Sequence, residues 1–153
     1  MESALEIGTD QPMPGYSGTP LPKKLGIKKG FRICLVHAPA EVRGELREAM
    51  SACEVLSEPR GPLDFVMFFT KSRADLSREF SGLAKELATA GILWVSWPKK
   101  SSGVATDVVE NVVRDIGLSS GLVDVKVCAV TEVWSGLKFV RRVADRKKQD
   151  RKK

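Results

Sequence analysis

Histidine is all but missing from this 153-residue chain: His37 stands alone. No second imidazole exists, and no Cys or His pair has metal-ligand spacing, so no metal is expected. Three cysteines, Cys34, Cys53 and Cys128, lack any C-x-x-C partner, and their odd number argues against a disulfide framework. Each sits in an apolar run (RICLV, ACEVL, KVCAV), as buried free thiols in strands do. No apolar run approaches the roughly 20 residues of a membrane-spanning helix, so no membrane partner is expected. The opening Met1-Glu2-Ser3-Ala4 has neither a basic nor an apolar signal region, which makes the cytoplasm the expected location. Also missing are a Walker A lysine motif, a G-x-S-x-G elbow and a glycine-rich loop after the first strand.

What is present suits one globular domain. Hydrophobic residues make up 42% and charged residues 29%, enough apolar material for a core and ordinary charge for a surface. The charge is unevenly placed. Residues 141–153 hold eight Lys or Arg against two Asp, which equals the whole formal net charge of +6. The rest of the chain is balanced, so the basic character belongs to a tail. Residues 1–15 read as a disordered segment, 16–142 as the folded domain and 143–153 as a basic disordered tail.

Strand and helix patterns alternate through the domain. Pro22–Leu25 reads as a single helical turn, and FRICLV (31–36) as a first, doubly covered strand. Val42, Leu46, Ala49 and Met50 recur at helical spacing, giving a helix over 40–51. A short strand at 54–56 and a third strand over 64–70 (DFVMFFT) follow. Ser72 and Asp75 form a helix-start signal, and Leu76, Phe80, Leu83 and Leu87 define that helix's buried face, with Gly91 as its stop. ILWVSW (92–97) is a fourth strand. Ser101, Ser102 and Gly103 are expected to open a last helix carrying Val104, Val108, Val112 and Ile116 on one line. VDVKVCAV (123–130) alternates as a fifth strand, a turn spans 131–135, and 136–140 returns as a sixth. The order predicts an α/β, Rossmann-like three-layer sandwich. Its mostly parallel sheet has about six strands and ends in an antiparallel hairpin.

In such sheets ligands bind beyond the carboxyl ends of strands, where strand order reverses. Those ends place His37, Thr70, Lys71, Ser72, Trp97, Lys99, Lys100, Ser101 and Ser102 as candidate ligand-binding residues, with Arg73 beside them. Cationic and hydroxyl-bearing loops that open helices suit an anionic small molecule, although lysines at loop ends are also ordinary solvated side chains. Trp97 either stacks on a ligand or caps the core. His37 is the one residue with the chemistry of a general base at neutral pH, but no carboxylate or nucleophile in the sequence is evidently placed to orient it. Catalytic residues and cofactor stay open. The loop VHAPAEVRGE brings only Gly44 near the first strand, and Pro39 removes a backbone donor.

Three blocks, YSGTPLPKKLGIKKG (16–30), LWVSWPKK (93–100) and VATDVVENVVRDIGLSSGLVDVKVCAVTEVWSGLKFVRR (104–142), resemble the bacterial domain-of-unknown-function family 3052. The resemblance spans nearly all of Tyr16–Arg142. It implies a reduced Rossmann domain and brings no catalytic residues. More distantly, the closing helix, strand and antiparallel return strand resemble class I methyltransferases. That likeness fails at the glycine loop, and only Glu58 stands where a ribose-binding carboxylate belongs.

Three functions follow as expectations. The first is a ligand- or partner-binding module without catalytic machinery. The second is a divergent S-adenosylmethionine-dependent methyltransferase, the enzyme class the layout comes nearest to. The third is nonspecific nucleic-acid association through Arg146, Lys147, Lys148, Arg151, Lys152 and Lys153, which would be sequence-blind and salt-sensitive.

Overall fold

A computed structural model describes residues 19–146. The expected disordered segment 1–15 and the basic residues 147–153 lie outside the described residues. The chain runs α1 (Leu21–Leu25), β1 (Arg32–Val36), α2 (Ala40–Met50), β2 (Glu54–Leu56), β3 (Leu63–Phe69) and α3 (Arg73–Lys85). It continues through β4 (Leu87–Pro98), a 3-10 turn (Lys100–Ser102), α4 (Glu110–Ser119), β5 (Leu122–Ala129) and β6 (Trp134–Arg141). The six strands form one sheet in the order β2-β1-β3-β4-β6-β5. The first four are parallel; β6 runs antiparallel to both β4 and β5. This is the expected Rossmann-like sandwich with an antiparallel end.

Helices cover both faces. Ile33 and Leu35 of β1 point to the layer of α1 and α2, where Leu21, Leu25, Val42 and Leu46 are buried. Cys34 points to the other layer, where Leu76, Phe80 and Leu83 of α3 and Val113 of α4 are buried. Alternation along a strand sends successive side chains to opposite faces, so a doubly covered strand has no polar side. In the α3 layer, Phe80 meets Phe139 of β6 edge to face at 5.3 Å. Truncation of such a buried ring costs about 3–5 kcal/mol.

Several boundaries differ from the sequence expectation. Leu87 belongs to β4, not to α3: it pairs with Leu63, and the Arg141 guanidinium donates to the carbonyls of Ala84 and Leu87 where α3 ends. Gly91 is not a helix stop. It lies within β4, where an added Cβ would sit 2.6 Å from the Leu63 carbonyl oxygen beside a register shift. The last helix begins at Glu110, not near Ser101. Residues 103–109 are instead tied down as a loop: Thr106 donates to the Lys71 carbonyl (2.6 Å), and Asp107 accepts from the Arg73 N–H (2.7 Å). Valine has middling helix propensity, so those polar ties decide the conformation.

Strand β5 carries a bulge between Asp124 and Lys126, which breaks its clean alternation and leaves Val125 and Val127 exposed. Residues 143–146 form a helical turn, with Arg146 donating to the Arg141 carbonyl. The cysteines are free, but only Cys34 is fully buried, and Cys53 lies in the bend before β2. No described helix is long and apolar enough to cross a membrane.

Candidate functional site

From β1 the chain crosses outward to β2, then returns to β3 on the other side of β1. Strand order therefore reverses between β1 and β3, and a crevice of about 500 Å³ opens at their carboxyl ends. Such a volume suits a small-molecule ligand. Its walls include His37 and Pro39 from the β1 side, Thr70, Lys71 and Arg78 from the β3 side, and Trp134 at the start of β6.

The β1 side is open. His37 takes φ 58°, and no other described non-glycine residue has positive φ. That left-handed turn is the geometry glycine normally supplies, although histidine is among the residues enriched there. His37 is exposed, with its ring 6.1 Å from that of Phe68, and it makes no side-chain hydrogen bond among the described residues. No described carboxylate orients it. Pro39 caps α2 without any side-chain hydrogen bond. Its missing N–H removes no helical donor, because it stands just before the first helical residue. The N–H groups of Ala40 and Glu41 find no partner among the described residues, whereas those of Val42 and Arg43 turn back to the Pro39 carbonyl.

The β3 side is closed upon itself. Buried Thr70 donates through its hydroxyl to the Ser72 carbonyl and accepts from the Ser72 N–H, both at 3.1 Å. The Ser72 hydroxyl accepts from the Asp75 N–H at 3.1 Å, the expected cap of α3. Asp107 takes the Arg73 N–H. Arg78 pairs with Asp75 at 2.6 Å and with Glu79 at 3.6 Å, which leaves Lys71 as the crevice cation with no ion pair among the described residues.

The sequence-derived candidates thus divide. His37, Thr70, Lys71 and Ser72 meet in the crevice. Trp97, Lys99 and Lys100 line a separate groove of about 500 Å³ beside Thr106 and Asn111, near the start of α4. Trp97 is only 6% exposed and packs in the α3 layer, so it caps the core. Ser101 and Ser102 line neither cavity; Ser102 donates to the Lys99 carbonyl and accepts from the Val104 N–H within its turn. Asp64 lies inside β3 and accepts from the Arg32 N–H at 2.8 Å, a structural tie. Trp134 is the crevice residue least visible in the sequence. Its neighbours place it in a turn, yet it begins β6, pairs with Pro98 and meets Phe69 edge to face at 5.2 Å. The antiparallel return delivers it to the carboxyl ends of the parallel strands, and that return is the signal the sequence offers.

Among the described residues no group of three or more His, Cys, Asp or Glu is arranged to hold a metal ion. Burial pushes the thiols of Cys34 and Cys128 up, away from the reactive thiolate.

The fold is that of class I methyltransferases. It is similar to a precorrin-6y C5,15-methyltransferase from Geobacter metallireducens GS-15, with a TM-score of 0.54 and 8% identity over 80% of this chain and 86% of that one. A SAM-dependent methyltransferase from Aquifex aeolicus matches with a TM-score of 0.52 and 17% identity over 76% of this chain and 85% of that one. Magnesium protoporphyrin IX methyltransferase from Synechocystis PCC 6803, solved with bound SAH, matches with a TM-score of 0.52 and 14% identity over 74% and 75%. No family model and no curated protein matches the sequence.

Proposed function

We propose that this chain binds S-adenosylmethionine in the crevice between β1 and β3, as a divergent member of the methyltransferase class whose fold it has. One observation carries the reading: the β1 side of the crevice keeps a left-handed turn and two unused helix N–H groups at the switch point. The resemblance to domain-of-unknown-function family 3052 belongs to the same proposal and adds no activity to it.

The residues present fit such a ligand. Ala40 and Glu41 can donate to its carboxylate at the positive end of α2. Glu58, two residues past β2, does not line the crevice but a separate hollow with Val55, Leu56 and Arg60, so it would accept from ribose hydroxyls of a ligand that extends past the crevice toward β2; its ion pair with Arg60 is long, at 4.0 Å, and exposed, so it competes weakly. Phe69 and Trp134 supply an apolar wall. When bound, the cofactor supplies an electrophilic methyl group on sulfur. Lys71 and exposed His37 stand at the mouth, where an acceptor would approach.

A second reading, binding without turnover, rests on a different observation. The Thr70 and Ser72 hydroxyls are both engaged in the loop, and no described carboxylate orients His37. Titration calorimetry tests the shared claim. Saturable 1:1 heat is expected with S-adenosylmethionine and with its demethylated product, and Glu58→Ala is expected to weaken it about tenfold, the loss of one charge-assisted hydrogen bond. No heat at millimolar cofactor would overturn the proposal. Binding without methyl transfer to any offered acceptor selects the second reading.

A further inference from the structure

A cluster of lysines lies away from the crevice, where α1 and the turn after it pack over β5 and β6. Lys126 and Lys138 are direct cross-strand partners on the antiparallel β5–β6 pair. Like charges placed opposite each other on neighbouring strands destabilise a sheet. Lys126 donates to the carbonyl of Lys24 at 3.3 Å, and Lys24 donates to the Ala129 carbonyl at 2.6 Å. The turn after α1 closes the group: a Cβ added at Gly26 would sit 3.9 Å from Lys138 Nζ, and Lys28 follows two residues on. None of Lys28, Lys126 and Lys138 is ion-paired with a carboxylate among the described residues.

The energetics run against this arrangement in the isolated protein. Lys138 is half-buried, and burial pushes its ammonium below the ordinary lysine range. Lys126 and Lys28 push it the same way. A neutral residue at position 138 would pack the same stem without that penalty. Local choices that oppose stability concentrate at functional sites. Three cations, Lys28, Lys126 and Lys138, with no ion pair among the described residues suit a ligand whose negative charges are spaced along a chain, since a single carboxylate would answer only one of them. Exposed Val125 and Val127 flank Lys126 on β5, but the turn after α1 and β6 add no exposed large hydrophobic residue among those described, and no Trp, Phe or Leu of the kind a membrane-seated face uses is exposed on β5, β6 or that turn.

We infer that Lys24, Lys28, Lys126 and Lys138 form a phosphate-binding surface for a nucleic-acid backbone, built into the folded domain and distinct from the basic tail. Binding there is sequence-blind and falls steeply with salt. The tail from residue 141 onward carries the same charge sign.

Fluorescence anisotropy of the full chain with a labelled 20-base-pair DNA duplex tests this across a salt series. Lys126→Gln/Lys138→Gln is expected to bind about tenfold more weakly at 0.1 M salt, with a log–log salt slope shallower by about 2, roughly 0.9 for each phosphate no longer neutralised. The same variant should melt no lower than wild type, because it removes a repulsion, and should keep any heat with S-adenosylmethionine. Lys85→Gln, an exposed lysine on α3, should match wild type. Unchanged affinity and slope in the double variant would overturn the inference, even if a tail variant lost all binding. So would absence of DNA binding together with tight association to vesicles containing phosphatidylserine.

Discussion

The two walls of the crevice solve the same local problem in opposite ways. Each is a strand that ends and feeds a helix, and each helix begins with N–H groups that have no intrahelical partner. At β3 all but the Ala74 N–H are answered from within: Ser72 takes the Asp75 N–H, Asp107 takes the Arg73 N–H, and Thr70 braces the turn. At β1 the Pro39 cap offers no side-chain acceptor, the Ala40 and Glu41 donors stay open, and His37 holds a turn that glycine would hold with less strain. One wall is therefore closed upon itself, and the other is the side proposed to bind the ligand. The contrast also shows that a missing glycine motif does not by itself remove the backbone geometry that the motif serves.

Breaking the closed wall should have the largest effect on stability. Ser72→Ala and Asp107→Ala each remove a side-chain acceptor from the start of α3, and together they are expected to cost about 2 kcal/mol. Urea denaturation checks this, and because both acceptors serve one helix start the two losses are expected to depart from simple additivity. Relieving the open wall should act in the other direction. His37→Gly removes the Cβ from the left-handed turn, worth about 1 kcal/mol, and gives back part of it through a more flexible unfolded chain, for a net gain of about 0.5 kcal/mol. Thermal unfolding reads this as a higher Tm, and a lower one would show that the imidazole makes a contact of its own.

Supplying the missing cap sharpens the comparison further. Pro39→Ser offers an oxygen to the first turn of α2, worth about 1 kcal/mol, and gives back most of it through a more flexible unfolded chain. Stability should barely move, while calorimetry should show S-adenosylmethionine binding weakened severalfold, since the serine oxygen now competes for the N–H groups. The smallest effect is expected far from both walls. The Arg114 guanidinium, hydrogen-bonded to Asp124 at 2.9 Å, holds that carboxyl below its ordinary range. Its contribution is complete above the unfolded carboxylate value of about 4 and is lost as pH falls through the folded one. Asp124→Asn should therefore flatten the acid limb of a Tm-against-pH curve and leave ligand binding unchanged.

Much of the architecture was legible in the residues. Strand and helix periodicity placed the sheet, and the short link before residue 136 required the antiparallel return. Ser72 with Asp75 announced the start of α3, and its hydroxyl caps the helix as that pattern implies. Periodicity misled where tertiary partners overrode it. Leu87 continues the Leu83 spacing but pairs with Leu63, and Val104 and Val108 share a helical line across a loop pinned by Thr106 and Asp107. The site was half legible. Strand ends named His37, Thr70, Lys71 and Ser72, but nothing local could separate them from Lys99 and Lys100, which the sheet delivers to another groove. The conformation of His37 and the open amides of α2 are backbone properties, and side-chain identity does not announce them.

The most direct measurement is an amide chemical-shift titration of the full chain with S-adenosylmethionine. The largest saturable changes are expected at His37, Ala40 and Glu41, with Arg73 and Asp75 nearly still because their N–H groups are already engaged. Changes confined to the β3–α3 turn, or none at millimolar ligand, would contradict the assignment of the β1 wall as the binding side.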